Sequence, residues 1–190
     1  PTPPPEALLA ESYEFLGDSD ISYESYFSES FAEDEYKKMW SKVWQWACHV
    51  DHIPEPGDYF VYDIGDLSSL IVRTSDGSIK AYFNACMHRG TQLKQPETCG
   101  FSSELRCPFH GWTWSLEGQL VDLPGSWDFP HVTEESHRLP EMNVDVWEGF
   151  VFINFDQNAQ PLKEYLGVLP DHWKDWDLAG RYIETHIRKH

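Results

Sequence analysis

Two short stretches hold the side chains best suited to chemistry, "NACMHRGTQL" at residues 84–93 and "CPFHGW" at 107–112. Each supplies one cysteine and one histidine, as Cys86-x-His88 and Cys107-x2-His110, with eighteen residues between the pairs. Thiolate and neutral imidazole both ligate metals, so two such loops can present four donors together. A structural zinc ion is one occupant of that set, although zinc modules usually pair like with like, C-x2-C against H-x3-H. A mixed pair in each loop suits a binuclear centre instead, one iron taking the two thiolates and the other the two imidazoles. Gly90 and Gly111 allow close backbone approach and let N–H groups point at sulfur.

Loops of this kind need a rigid scaffold, and the surrounding sequence reads mainly as β. "DYFVYDIG" (58–65) and "SSLIVRTSDGSIKAYFNA" (68–85) are strand-like, with "SDGS" (75–78) as a hairpin turn. "ELRC", "WTWSLEGQLV" and "NVDVWEGFVFINF" continue the pattern, with turns at Glu117-Gly118 and Glu148-Gly149. Short strands at this spacing predict a small all-β sandwich or barrel of antiparallel sheets, each ligand pair just beyond a strand. Upstream, "FAEDEYKKMWSKVWQW" (31–46) predicts a helix from the spacing of Phe31, Tyr36, Met39, Trp40 and Val43. Downstream, "PLKEYLGVLPDHWKDWDL" predicts a short helix starting at Pro161 and interrupted by Pro170, and "RYIETHIRKH" (181–190) alternates like a strand.

Bulk properties narrow the function. The chain has 190 residues, 41% hydrophobic and 15% aromatic, enough for a packed core. Its net charge of −18, from 32 acidic against 14 basic residues, opposes binding to nucleic acid or to anionic membranes. The charge reads first as solubility, and second as a face for a charged protein partner. No apolar stretch reaches the ~18 residues of a membrane span, and "PTPPPEALLA" has no secretory pattern, so a cytoplasmic location is expected. Four cysteines are too few for a disulfide scaffold, and in a reducing compartment they favour metal binding. Residues 1–32, with no Lys or Arg before Lys37, read as an acidic arm with one short helix.

C-x-H-R-G followed by C-P-x-H-G-W resembles the Rieske [2Fe–2S] motif in the form typical of Rieske non-haem iron ring-hydroxylating oxygenases. "WQWACHVDHIPEPGDYF", "DGSIKAYFNACMHRG" and "GFVFINFD" extend the resemblance over about 36–190. It implies the Rieske iron–sulfur fold, with an N-terminal helix and a short C-terminal helical segment. It also implies one [2Fe–2S] cluster, with Cys86 and Cys107 on the inner iron and His88 and His110 on the outer, solvent-edge iron. Two neutral imidazoles in place of two thiolates raise the potential of such centres above plant-type ferredoxins. High-potential Rieske proteins of respiratory complexes carry an extra cysteine in each loop. Thr91 and Phe109 stand at those positions here, which points to the oxygenase branch.

The resemblance implies three segments: an acidic arm and helix at 1–40, the Rieske domain at 41–156, and the start of a truncated catalytic domain at 157–190. The expected function is electron transfer within an oxygenase α subunit. A reductase or ferredoxin would be the donor, and a mononuclear Fe(II) that activates O2 would lie in the missing catalytic domain. Full-length relatives imply a homotrimer or α3β3 assembly and an aromatic or other ring-bearing substrate. A stand-alone Rieske ferredoxin-type carrier is the alternative, and a structural zinc module the remote one. No catalytic residue is assigned within the 190. Trp112 and Trp114 read as a shield for the cluster or as ordinary core aromatics. Cys48 reads as packing, Cys99 as a free thiol in the long loop between ligand pairs, and His131 and His137 as surface residues. His186 and His190 are weak as ligands, and Asp156, Asp171 and Asp175 lack partner histidines.

Overall fold

The computed structural model describes Glu6 and residues 19–185. Helix α1 (Glu29–Glu35) begins where Ser28 Oγ accepts the Phe31 N–H at 3.3 Å. It runs on as a wider π turn through Tyr36–Trp40. Its exposed side carries two i,i+4 ion pairs, Glu33–Lys37 at 3.1 Å and Asp34–Lys38 at 2.6 Å.

The helix predicted over 31–46 therefore stops at Trp40, and Gln45–His49 forms strand β1 instead. Pairing with a distant strand overrides the local helical spacing. β1 lies antiparallel to β10 (Phe150–Asn154), with Gln45 opposite Ile153 and His49 opposite Phe150. Trp44 Nε1 donates to the Gln160 carbonyl at 2.9 Å, and Asn154 Nδ2 donates to the Lys42 carbonyl at 3.2 Å. These bonds staple the segment before β1 to the end of β10 and the loop that follows it.

Seven strands make the larger antiparallel sheet. Besides β1 and β10 they are β2 (Asp58–Ile64), β3 (Leu67–Arg73), β4 (Ile79–Phe83), β5 (Cys99–Phe101) and β9 (Glu141–Trp147). Their spatial order is β1-β10-β9-β4-β3-β2-β5. A smaller sheet, β6 (Leu105–Arg106), β7 (Thr113–Trp114) and β8 (Leu120–Asp122), stands apart in the order β6-β7-β8. The β3–β4 hairpin turns at Asp76-Gly77, where Thr74 N–H donates to the Ser78 carbonyl at 2.9 Å. The β9–β10 turn uses Glu148 and Gly149, both with positive φ of 51° and 85°, as a two-residue hairpin requires.

The central strands are buried on both faces, which is why they read as nearly continuous apolar runs. Val61, Leu70, Val72 and Tyr82 enter one core with Trp112 and with Leu105, Trp114 and Leu120 of the small sheet. Phe60, Ile71 and Ala81, their sequence neighbours, point into a second core with Val151 and Ile153. The ligand loops are therefore held between a large sheet and a small one.

Three further expectations change. α2 (Leu162–Leu166) ends at Gly167, with φ 55° and ψ −116°, and Pro170 lies in the first turn of α3 (Leu169–Trp173). Proline there opens a second helix rather than breaking the first, since its missing N–H has no partner to lose. Residues 181–185 are irregular rather than a strand. Ile183 N–H donates to Asp51 Oδ2 at 2.9 Å, a side-chain bond in place of a ladder. The rest of that predicted strand, with His186 and His190, lies outside the described residues, as does most of the predicted N-terminal arm. Cys99 is exposed and free but sits in edge strand β5, opposite Phe60, rather than in a loop.

Candidate metal centre

The two loops close in the same way. In the first, Cys86 N–H donates to the Thr91 carbonyl at 2.8 Å, and Gly90 N–H donates to the Cys86 carbonyl at 2.8 Å. In the second, Cys107 N–H donates to the Trp112 carbonyl at 2.8 Å, and Gly111 N–H donates to the Cys107 carbonyl at 3.2 Å. Each turn needs a positive φ four residues after its cysteine, and Gly90 (74°) and Gly111 (76°) supply it without a Cβ penalty. The histidine stands two residues along the first loop and three along the second, inside otherwise equal turns.

This closure brings like side chains together. Cys86 and Cys107 lie buried at the loop bases, within the core between the sheets. His88 and His110 lie outward, half-buried and exposed respectively, with ring centroids 4.8 Å apart. The result is two thiols inside and two imidazoles at the surface. Among the described residues no group of three His, Cys, Asp or Glu side chains gathers around a single ion position. Thiols paired inside and imidazoles paired at the surface suit two metal positions, one for each like pair.

Local electrostatics fit a cationic occupant. Burial pushes the Cys86 thiol up to about 11 and the neighbouring Cys107 adds to this, while the His88 and Arg89 N–H groups oppose it. The His88 N–H lies 3.5 Å from Cys86 Sγ. Iron bound there would displace both thiol protons, and amide dipoles already face the sulfur. Desolvation, then His110 and Arg89, lower the affinity of His88 for a proton, which favours the neutral imidazole that can ligate. Soft donors in the apolar interior and imidazole donors at the rim fit a [2Fe–2S] centre with Cys2His2 ligation.

Aromatic rings wall the histidine side. The Trp112 indole lies 4.9 Å from the His88 ring with planes 4° apart, and Phe129 meets His88 edge-on at 5.6 Å. Trp112 is 2% exposed and Trp114 fully buried, so both belong to the core, and Trp112 is also a wall of the site. His131 is exposed, but His137 is only half so, packing 5.8 Å from Trp112; its assignment as purely a surface residue is corrected. Cys48 is buried in β1, remote in the fold from the loops, and Asp156 pairs with Lys42 at 3.0 Å.

Sequence reasoning missed Asn84 and Phe129. Asn84 is buried at the start of the first loop and uses its whole amide to hold it. An asparagine opening a Gly-bearing loop is a recognisable signal for such a bond. Phe129 had none, since its contact with His88 spans 41 positions.

A protein-family model described as "Rieske [2Fe-2S] domain" matches residues 43–133. The chain is 30% identical over 168 residues to the benzene 1,2-dioxygenase α subunit of Pseudomonas putida, covering 86% of this chain and 37% of that protein. It is 31% identical over 196 residues to the 2-aminobenzenesulfonate 2,3-dioxygenase α subunit of Alcaligenes sp., covering 86% and 49%. Among solved structures, naphthalene 1,2-dioxygenase from Rhodococcus sp. bound to indole superposes with a TM-score of 0.71 at 33% identity, over 76% of this chain and 33% of that one. A quaternary ammonium Rieske monooxygenase superposes at 0.73 with 26% identity, over 80% and 42%. The chain thus spans less than half the length of these relatives.

Proposed function

Residues 43–133 of this chain are a Rieske [2Fe–2S] domain of the kind found in ring-hydroxylating oxygenase α subunits, and from that premise we propose that the chain is the electron-transfer part of such an oxygenase. Cys86 and Cys107 hold the inner iron of the cluster, and His88 and His110 the outer one. The observation that carries this is the pairing of like with like, thiols buried and imidazoles 4.8 Å apart at the rim. When bound, the cluster supplies one-electron oxidation and reduction at a potential raised by its two histidines.

The chain's own residues do three things. The matched turns ending at Gly90 and Gly111 fix the backbone that carries the four donors. Trp112, Phe129 and the buried thiols keep water from the inner side. His110, open to solvent beside exposed Phe109, offers the short route for electrons and presents its outer ring nitrogen as a hydrogen-bond donor.

In this proposal a reductase or ferredoxin delivers single electrons at that tip. Arg89 and Arg106 support the entry point: both are exposed, and neither has an ion pair among the described residues of a chain with net charge −18. They favour an acidic donor surface there, where the rest of the molecule repels one. The domain passes electrons to a mononuclear iron that activates O2 in a catalytic domain beginning near 157, with a homotrimer or α3β3 assembly in the cytoplasm and a ring-bearing substrate.

Anaerobic reconstitution with iron and sulfide tests the proposal. Two irons, two acid-labile sulfides and a reduced binuclear EPR signal per chain are expected. His88→Cys should lower the midpoint potential sharply; an unchanged midpoint overturns the ligand assignment.

A further inference from the structure

Trp112 belongs to the second ligand loop, yet its ring serves the first. Its carbonyl accepts the Cys107 N–H and closes its own turn. Its indole lies face to face with the His88 imidazole across the gap between the loops, 4.9 Å away and tilted by only 4°. The indole is itself fixed. Phe129 abuts it edge-on at 5.4 Å and 85°, His137 packs at 5.8 Å, and the ring is 2% exposed. An aromatic ring has two torsions, and tight packing on several sides leaves it no freedom in either.

His88 is held differently. Among the described residues no hydrogen bond reaches its ring nitrogens, and its loop relies on a glycine at φ 74° two residues later. The rings that meet it are His110, tilted by 59°, Phe129, which touches edge-on, and Trp112, which lies flat against it. The flat contact opposes rotation of the imidazole about its Cβ–Cγ bond, because turning the ring drives its edge into the indole.

We propose that Trp112 is a positioning residue that sets the plane in which the His88 imidazole meets the outer iron. The proposal rests on the ligand role argued above for His88. Ring orientation governs how the nitrogen lone pair meets the metal and where the outer N–H points, and groups that fix a ligating histidine tune the centre they serve. Trp114 provides the internal control. It is equally buried and its Nε1 donates to the His137 carbonyl at 2.8 Å; it packs behind Trp112 at 6.3 Å, and among the described residues no ring contact joins it to either ligand histidine.

The test uses the full chain loaded with iron and sulfide, comparing wild type, Trp112→Leu, Trp112→Phe and Trp114→Phe by metal content, EPR of the reduced state and redox titration. Trp112→Leu is expected to keep two irons, displace the EPR g-values and shift the reduction equilibrium by at least about tenfold, 59 mV for one electron. Trp112→Phe, which keeps an aromatic face, should recover more than half of that shift, and Trp114→Phe should match wild type. Wild-type spectra and midpoint in Trp112→Leu, with cluster content intact, overturn the proposal and leave the ligand assignment standing. A wild-type chain that forms no binuclear centre overturns both. Should Trp112→Leu fail to fold, Trp112→Phe against Trp114→Phe decides: a shift in the first alone supports positioning, and equal behaviour of the two overturns it.

Discussion

The side chain of Asn84 grips the backbone of Lys94 from both sides: Oδ1 accepts the Lys94 N–H at 3.0 Å and Nδ2 donates to the Lys94 carbonyl at 2.9 Å. The same amide accepts the Leu93 N–H at 3.1 Å and donates to Ser68 Oγ at 3.0 Å. Of the four hydrogen-bonding valences of this buried amide, three close the loop that carries Cys86 and His88 and the fourth ties it to β3.

Removing that amide strands several backbone groups in the interior, at about 1–3 kcal/mol for each one left unsatisfied. Asn84→Ala should therefore destabilise the fold by about 3 kcal/mol and reduce the iron retained per chain. Urea denaturation and iron analysis measure the two effects. Full stability with full iron content would show that the loop does not depend on this clamp.

Gly118 has φ +78°, and a Cβ there would stand 2.7 Å from the ring of Tyr82. Tyr82 cannot yield easily, being fully buried with its hydroxyl donating to the Leu116 carbonyl at 2.9 Å. Gly77, at φ +84°, faces open space. Gly77→Ala should cost about 1–2 kcal/mol from backbone strain alone, and Gly118→Ala about 1–3 kcal/mol more from overpacking. Denaturant midpoints of the two variants separate the contributions.

In the β3–β4 turn, Asp76 Oδ1 accepts the Thr74 hydroxyl at 2.7 Å and the Ser78 N–H at 2.9 Å. Those bonds hold its carboxyl at about 2, against an ordinary 3.8. A depressed folded value means the carboxylate stabilises the fold above the unfolded value and loses that contribution as pH falls from about 4 to about 2. Asp76→Asn keeps an acceptor without the charge. Stability measured across that window should decline less steeply in the variant than in wild type; parallel curves would refute the role.

Cys48 and Cys99 should differ sharply in reactivity. Burial, opposed by Arg73, pushes the Cys48 thiol up to about 12, whereas Cys99 is exposed. At neutral pH, iodoacetamide should modify Cys99 in the native, metal-loaded protein and spare Cys48. Peptide mapping by mass spectrometry reads both sites at once. Equal labelling would mean that the β1–β10 pairing opens readily.

Much of the candidate site was legible because its signals are local. Cys86, His88, Cys107 and His110 stand at short spacings beside Gly90 and Gly111, and a turn that needs positive φ announces itself by glycine. The same holds for Asp76-Gly77 and Glu148-Gly149, which place the hairpins. The apolar runs of β2, β3 and β4 likewise mark strands covered on both faces.

Tertiary structure alone decided the rest. Gln45–His49 is a strand because β10, a hundred positions away, supplies its partners, and no local spacing records that. Resemblance alone implied thiols inside and imidazoles outside, and nothing in the motif states that Trp112 lies flat on His88 or that Phe129 meets it edge-on. Short-range chemistry along a chain specifies which residues can ligate and where the backbone can turn. Which rings face one another depends on packing between segments far apart in sequence, and only the folded core determines that.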